Sequence, residues 1–134
     1  MIWRVLNPLS STGFLLPDGA GPGRDVLLDL QGAKPGCAQA LEAVGGSPER
    51  VAHVFLTHFH SDHFLVHAAL ELARCGARIH MGRPTWLAAL EHFERLGDRA
   101  ALAACYALAA TGVLDFLPPR GTLNLAGREA AWSA

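Results

Sequence analysis

Short apolar runs alternate with turn residues in the first part of the chain, a pattern typical of strands joined by tight connections. Three runs are predicted as strands, at residues 2–6, 12–16 and 25–30. Pro- and Gly-rich stretches around Pro8 and at residues 17–23 separate them and predict turns. The chain is therefore expected to begin with β-structure.

Helical spacing of apolar residues appears next. Small and apolar side chains recur at this spacing over residues 36–44, and two glycines follow as a stop signal. Ser47 and Pro48 then predict a single helical turn, after which the apolar run at 51–56 predicts a buried strand.

The second half of the chain alternates between helical and strand patterns. The predicted helices are 64–74, 84–96 and a helix that Asp98 caps and that ends before Gly112. The predicted strands are 77–81, 113–117, 122–125 and 129–132. This order of strands and helices predicts an α/β fold.

Composition narrows the class of protein. A chain of 134 residues with 51% hydrophobic and 17% charged side chains predicts one ordered domain over residues 1–134. The net charge of -1 and the scattered arginines argue against a nucleic-acid partner. No export signal is evident and no apolar stretch approaches the roughly 18 residues of a membrane span. Cys37, Cys75 and Cys105 lack metal-binding spacing and are predicted as buried thiols, so a cytoplasmic protein without a membrane partner is expected.

The candidate chemistry is concentrated at residues 58–63, directly after the predicted strand at 51–56. In open α/β sheets, sites form where the chain leaves the carboxyl end of a strand. His58 and His60 project to the same side of an extended backbone, so both can bind one cation. Asp62 and His63 are adjacent and suit a second cation beside the first. Imidazole and carboxylate together suit zinc, and also iron or manganese.

A structural interpretation of the same loop competes with the metal site. The histidines and Asp62 would cap the helix predicted from residue 64, because the positive end of a helix favours a carboxylate. Four side chains that can bind metal within six residues favour the metal site. Other possible ligands are explained more simply as exposed or core side chains of helices and strands: His53, His67, His80, His92 and Asp115.

The motif resembles that of a known family. His58-Phe59-His60-Ser61-Asp62-His63, preceded by Thr57, resembles the H-x-H-x-D-H signature of the metallo-β-lactamase-fold hydrolases. The segments 11–16 and 27–29 resemble the first strands of that family, and 45–50 resembles its lead-in to the motif. The resemblance implies a metallo-β-lactamase-like αββα sandwich.

The resemblance also implies a role for individual residues. His58 and His60 would bind the first metal ion, and Asp62 and His63 would bind the second. Asp29, at the end of an early strand, would steady the metal loop without binding metal itself. Two zinc ions are expected in the complete fold, with iron or manganese as alternatives.

The chain departs from the family in its second half. A complete domain is longer and supplies a further histidine, a bridging aspartate and a final histidine. No histidine follows His92 here, and residues 123–134 resemble the strand that comes shortly before the family's third histidine. The chain is therefore expected to hold about the first half of the fold, as a C-terminally truncated domain.

The predicted activity is metal-dependent hydrolysis, because zinc lowers the pKa of bound water to about 7 and polarises the bond to be cleaved. By resemblance to the phosphodiesterase branch, Asp62 would be catalytic and would orient or deprotonate that water. Phe64 stands after the motif where the glyoxalase II-like and lactonase branches carry a glycine pair. This favours a phosphodiester, as in the ribonuclease Z-like branch, and the expected partner is a small-molecule ester or phosphodiester.

Three alternatives stay open. The first is a thioester or lactone hydrolase resembling glyoxalase II, and the second is a redox protein with iron in place of zinc. In the third, the chain is a non-catalytic fragment with an incomplete metal site. Four ligands would then serve two ions, so zinc binding would be much weaker than in a full-length relative and hydrolysis would not be sustained.

Overall fold

A six-stranded mixed sheet with helices on one face forms the main body of the molecule. The computed structural model describes residues 4–6, 13–30, 36–57, 63–118, 120–125 and 128–133. The strands are β1 (Arg4–Leu6), β2 (Gly13–Gly21), β3 (Arg24–Leu28), β4 (Val51–Phe55), β5 (Arg78–Gly82), β6 (Leu114–Leu117), β7 (Arg120–Leu125) and β8 (Arg128–Ser133). The helices are α1 (Cys37–Glu42), α2 (His63–Arg74), α3 (Arg83–Leu96) and α4 (Arg99–Ala110), and Pro48–Arg50 forms one 3₁₀ turn.

The strands of the main sheet lie in chain order, from β1 at one edge to β6 at the other. β1, β2 and β3 pair antiparallel, whereas β3, β4, β5 and β6 pair parallel. The change follows the connections, because a tight turn can join only antiparallel strands and a parallel pair needs a crossover. β7 and β8 form a separate antiparallel ribbon that contacts β2.

The helix-facing side of the sheet contains the core. Val54, Ile79 and Met81 are 0% exposed there, because alternate residues of β4 and β5 point toward the helices. α3 contributes Phe93, which is 1% exposed, and Trp86, whose ring lies 6.2 Å from that of Phe116 on β6. The side chains between these positions in sequence point to the side of the sheet that carries no helices, named here the open face, on which His80 is nevertheless buried at 7% exposed.

The carboxyl ends of β2 and β3 differ from those predicted. β2 continues through the stretch that Pro17 and the following glycines predicted as a turn, because a bulge with Asp18 in the left-handed region (φ 56°) keeps it paired with β3. The turn itself is confined to residues 22–23. β3 ends at Leu28, two residues early, because Asp29 also adopts the left-handed region (φ 61°) and leaves the strand.

The predicted helices are confirmed to within a residue or two at most ends. Asp98 caps α4 as expected, since its Oδ1 accepts a hydrogen bond of 3.0 Å from the backbone N–H of Ala101. Cys37 and Cys105 are buried, but the prediction of a buried thiol is wrong for Cys75, which lies partly exposed in the turn after α2. Within the part of the chain that the structure describes, no helix has the length and apolar character needed to cross a membrane.

Candidate metal loop and its supports

The predicted metal loop joins the carboxyl end of β4 to the start of α2. His58, His60 and Asp62 lie outside the described residues, and His63 is the first residue of α2. The residues that flank the loop therefore lie at the carboxyl ends of the parallel strands, where α/β sheets form their sites. The convergence of the four predicted ligands stays a prediction.

Asp29 binds the residue that immediately precedes the loop. Its Oδ1 accepts a hydrogen bond of 2.8 Å from the backbone N–H of Thr57. The Thr57 hydroxyl lies 2.8 Å from both carboxylate oxygens of Asp29 and donates to them. Hydrogen bonds to a carboxylate are roughly twice as strong as those between neutral groups. Asp29 thus holds the backbone and the side chain of Thr57 at the start of the loop.

Backbone geometry explains how Asp29 reaches Thr57. The Asp29 N–H donates to the Phe55 carbonyl at 2.9 Å, so β3 stays paired with β4 to its last residue. Asp29 then turns into the left-handed region, which Asp and Asn tolerate better than most residues. This turn accompanies the approach of its carboxylate to the residue after β4. Whether Asp29 supports metal binding stays a prediction.

His67 is exposed on α2, one turn after its first residue. Across residues 4–6, 13–30, 36–57, 63–118, 120–125 and 128–133, no group of three or more His, Cys, Asp or Glu side chains could hold a metal ion. The predicted ligands His58, His60 and Asp62 are not among these residues, and metal binding through them stays a prediction. Three imidazoles and one carboxylate are a donor set that suits zinc and related divalent ions.

A second histidine cluster occupies the open face of the sheet. His53 Nδ1 lies 2.9 Å from His80 Nε2, so one ring donates a hydrogen bond and the other accepts it. Phe55 stacks on His80 at 4.6 Å between ring centroids. His80 Nδ1 lies 3.7 Å from Asp115 Oδ2, and Arg78 binds Asp115 through two bonds of 2.8 and 2.9 Å.

The sequence predicted these histidines only as separate core or edge residues. The pairing register of β4, β5 and β6 brings them together, because His80 lies beside Phe55 on one side and Asp115 on the other. The sequence did contain a signal for this cluster: residues two apart in a strand point to the same face, so His53 lies on the same face as Phe55, and Arg78 on the same face as His80. The strand order, which the signal needed, was not evident from the sequence.

Burial makes these imidazoles weak bases. Burial, followed by the charge of His53, lowers the pKa of His80 to about 4, although Asp115 opposes the shift. Burial also lowers the pKa of His53, and the positive charges of Arg24 and Arg78 add to this effect. The pair is therefore neutral at pH 7, and its single hydrogen bond connects β4 to β5.

An ion-pair cluster lies at the amino ends of β3 and β4, whereas the loop follows the carboxyl end of β4. Asp25 is 1% exposed, and its carboxylate accepts bonds of 3.2 Å from both Nε and Nη2 of Arg50. Arg50 Nη2 also donates to Asp18 at 2.9 Å, and Asp25 accepts from the Asp18 N–H at 2.8 Å. The cluster joins the bulge of β2, the start of β3 and the 3₁₀ turn before β4. It orders the amino ends of the strands whose carboxyl ends flank the loop.

Comparison with known proteins gives one family. The family model described as the metallo-beta-lactamase superfamily matches residues 19–94, which is more than half of the chain. No curated protein sequence matches.

Two solved structures are similar to the chain. A metallo-beta-lactamase family protein from Thermus thermophilus is 19% identical with a TM-score of 0.50, over 95% of this chain and 49% of that one. A B3 metallo-beta-lactamase with an active-site glutamic acid is 24% identical with a TM-score of 0.47, over 63% of this chain and 31% of that one. The chain thus spans about half, or less, of the length of these solved structures.

Proposed function

The chain belongs to the metallo-beta-lactamase superfamily, and from this premise we propose that it carries the metal-binding half of a metal-dependent hydrolase. His58, His60, Asp62 and His63 would hold two divalent ions, with zinc as the expected metal. The observation that carries the proposal is the position of this H-x-H-x-D-H segment, between the carboxyl end of β4 and the start of α2.

The contact between Asp29 and Thr57 supports the proposal. A loop that must present several ligands to a metal has to be ordered before the metal arrives, or ordering it reduces the affinity. Asp29 restrains the residue at the start of this loop through three contacts of 2.8 Å each. At the other end of the loop, α2 is anchored by Leu65 and Val66, both 0% exposed.

The bound metal would supply Lewis-acid activation of water and of the bond to be cleaved. Asp62 has the further proposed role of orienting that water or accepting its proton. The Asp29 carboxylate keeps Thr57 in place and thereby positions the loop relative to β4. The sheet supplies a rigid support, because β4 lies between two parallel neighbours.

A phosphodiester is the proposed substrate class. Phe64 and Leu65 follow the motif where a glycine pair would favour the thioesterase and lactonase branches. With a net charge of -1, the chain provides little general attraction for a nucleic acid, so a small phosphodiester is favoured over a long RNA. A thioester or lactone is the alternative that the experiment must separate.

The test combines metal binding with turnover. The purified chain is titrated with zinc by calorimetry and assayed with bis(p-nitrophenyl) phosphate and with a glutathione thioester. His60→Gln removes one ligand, and His92→Gln on α3 is the matched control. We expect His60→Gln to weaken zinc binding by at least about tenfold, because few protein ligands serve each ion. The control should bind zinc as the unmodified chain does.

The outcomes separate the open alternatives. Zinc-stimulated cleavage of the phosphodiester, lost in His60→Gln, supports the full proposal. Cleavage of the thioester alone would replace the phosphodiester by the glyoxalase II-like alternative. Zinc binding without turnover of either compound would contradict catalysis by this chain and favour the non-catalytic fragment. Equal zinc binding by His60→Gln and His92→Gln would contradict the metal site itself.

A further inference from the structure

A cleft opens at the amino ends of β3, β4 and β5, whereas the candidate metal loop follows the carboxyl end of β4. Its volume is about 360 Å³, within the range of small-molecule sites. Arg24, Arg50 and Arg78 contribute to its lining, one from the start of each successive strand or the turn before it. Glu49 is the one carboxylate among the described residues that line it. Guanidinium groups thus outnumber carboxylates three to one.

Two of these arginines are held in place by carboxylates outside the cleft lining. Arg50 uses Nε and Nη2 to bind Asp25 and Asp18, and Arg78 uses the same two nitrogens to bind Asp115. Among the described residues, neither arginine has a hydrogen-bond partner at Nη1. Each therefore keeps donors for a ligand while its side chain is already ordered, which reduces the entropy that binding would cost.

Arg24 is the least occupied of the three. It is exposed, and its one bond within the described part of the chain is from Nη1 to the Ala20 carbonyl at 3.5 Å, which is long and therefore weak. The field of these cations also reaches the neighbouring open face. Besides burial, the charges of Arg24 and Arg78 lower the pKa of His53, whereas Asp115 acts in the opposite direction. Within the cleft itself, burial together with the charges of Glu49 and Glu71 raises the pKa of the Cys75 thiol, so carboxylates offset part of this positive charge.

We propose that this cleft binds a phosphate-type oxyanion through Arg24, Arg50 and Arg78. A tetrahedral oxyanion presents acceptor oxygens in several directions, so it can accept from guanidinium groups on three separate elements. A carboxylate presents two coplanar oxygens and is matched by one guanidinium. The volume leaves room for a small substituent, so the ligand is free phosphate or a phosphate monoester. The site lies apart from the metal loop and does not depend on the proposed hydrolase function.

Cys75 provides a direct probe of occupancy. It lines the same cleft and is partly exposed, whereas Cys37 and Cys105 are buried. The rate at which N-ethylmaleimide modifies Cys75 is measured by mass spectrometry without added metal, at constant ionic strength adjusted with sodium chloride. Constant ionic strength is needed because salt screens all of these charges. We expect inorganic phosphate to slow this reaction to a saturating limit.

The arginines are tested with a matched pair of variants. Arg24→Gln removes the exposed guanidinium of the cleft. Arg95→Gln removes an exposed guanidinium on α3, which is not part of the cleft lining. We expect Arg24→Gln to raise the half-protecting phosphate concentration about tenfold, the effect of losing one charge-assisted hydrogen bond. Arg24→Lys should retain part of the affinity because it keeps the charge. Arg95→Gln should match the unmodified chain.

Glycerol phosphate, titrated in the same way, distinguishes the two sources of the anion. Protection at a lower concentration than inorganic phosphate identifies a phosphate monoester as the ligand, and the reverse identifies free phosphate. Two results would overturn the proposal. One is a Cys75 reaction rate that neither anion changes, and the other is an equal response of Arg24→Gln and Arg95→Gln.

Discussion

Asp29 illustrates how one residue can link the fold to the candidate site. It follows the last residue of β3, adopts a left-handed backbone conformation and binds Thr57 at the start of the metal loop. A residue that only ended a strand would not need a carboxylate directed at the segment after β4. The three contacts to Thr57 therefore give Asp29 a role that extends beyond local structure.

Replacing Asp29 by Asn tests that role. Asn tolerates the left-handed region, so the backbone is retained, but a neutral amide cannot accept from Thr57 at both former oxygen positions. We expect zinc affinity to fall about tenfold or more, as for other residues that orient a metal's ligands. Calorimetric titration measures the change. Asp18→Asn is the control, since Asp18 is also left-handed (φ 56°) but binds Arg50 at the amino end of β4, away from the loop.

An unchanged zinc affinity in Asp29→Asn would show that the contact with Thr57 serves the sheet alone. A variant that unfolds would be detected by circular dichroism before the titration. In that case Thr57→Val, which removes only the hydroxyl partner, provides the same comparison with a smaller change.

At the scale of elements, the His53–His80 pair joins β4 to β5, and we expect it to make stability depend on pH. The folded pKa of His80 lies near 4, below the value of about 6.5 expected for an unfolded chain. The unfolded state therefore binds more protons between these values, and stability falls as pH decreases from 6.5 toward 4. Well above pH 6.5 both histidines are neutral in the folded and the unfolded state, and the contribution of the pair is fully present.

Urea denaturation at several pH values between 7.5 and 4.5 measures this dependence. His80→Gln removes the titrating group, so the loss of stability below pH 6.5 should be smaller than in the unmodified chain. His92→Gln, on α3 and outside the pair, should keep the original pH dependence. Identical pH profiles for all three proteins would show that the pair does not determine acid sensitivity.

For the molecule as a whole, stability rests on one core between the sheet and the helices. Phe93 is among the largest fully buried side chains, at 1% exposure, whereas Leu96 on the same helix is 66% exposed. Phe93→Ala should lower the free energy of unfolding by about 3–5 kcal/mol, through lost burial and the cavity that remains. Leu96→Ala should change it by less than about 0.5 kcal/mol.

Chemical denaturation of the two variants checks this expectation. Folded proteins have a total stability of roughly 5–15 kcal/mol, so Phe93→Ala should bring the chain close to unfolding. Equal losses in the two variants would mean that α3 does not pack on the sheet through Phe93.

The sequence was sufficient to predict most of the elements, because helix and strand periodicity are local properties. α2, α3 and α4 begin and end close to the predicted positions, and Asp98 caps α4 as its position implied. The family was also evident from the sequence, since the H-x-H-x-D-H spacing lies within one short loop. Local patterns failed where a long-range pairing overrode them, as in β2, which continues through Pro17 as a bulged strand paired with β3.

What the sequence determined by itself was therefore the element order, the α/β class and the position of the candidate ligands after β4. Tertiary structure decided which distant residues meet. Asp29 reaches Thr57, His53 pairs with His80, and three arginines gather at one edge only because β3, β4 and β5 are adjacent and in a particular register. Strand order and register depend on the burial of the whole sheet against its helices. That property belongs to the assembled core, and no local segment of the chain carries it.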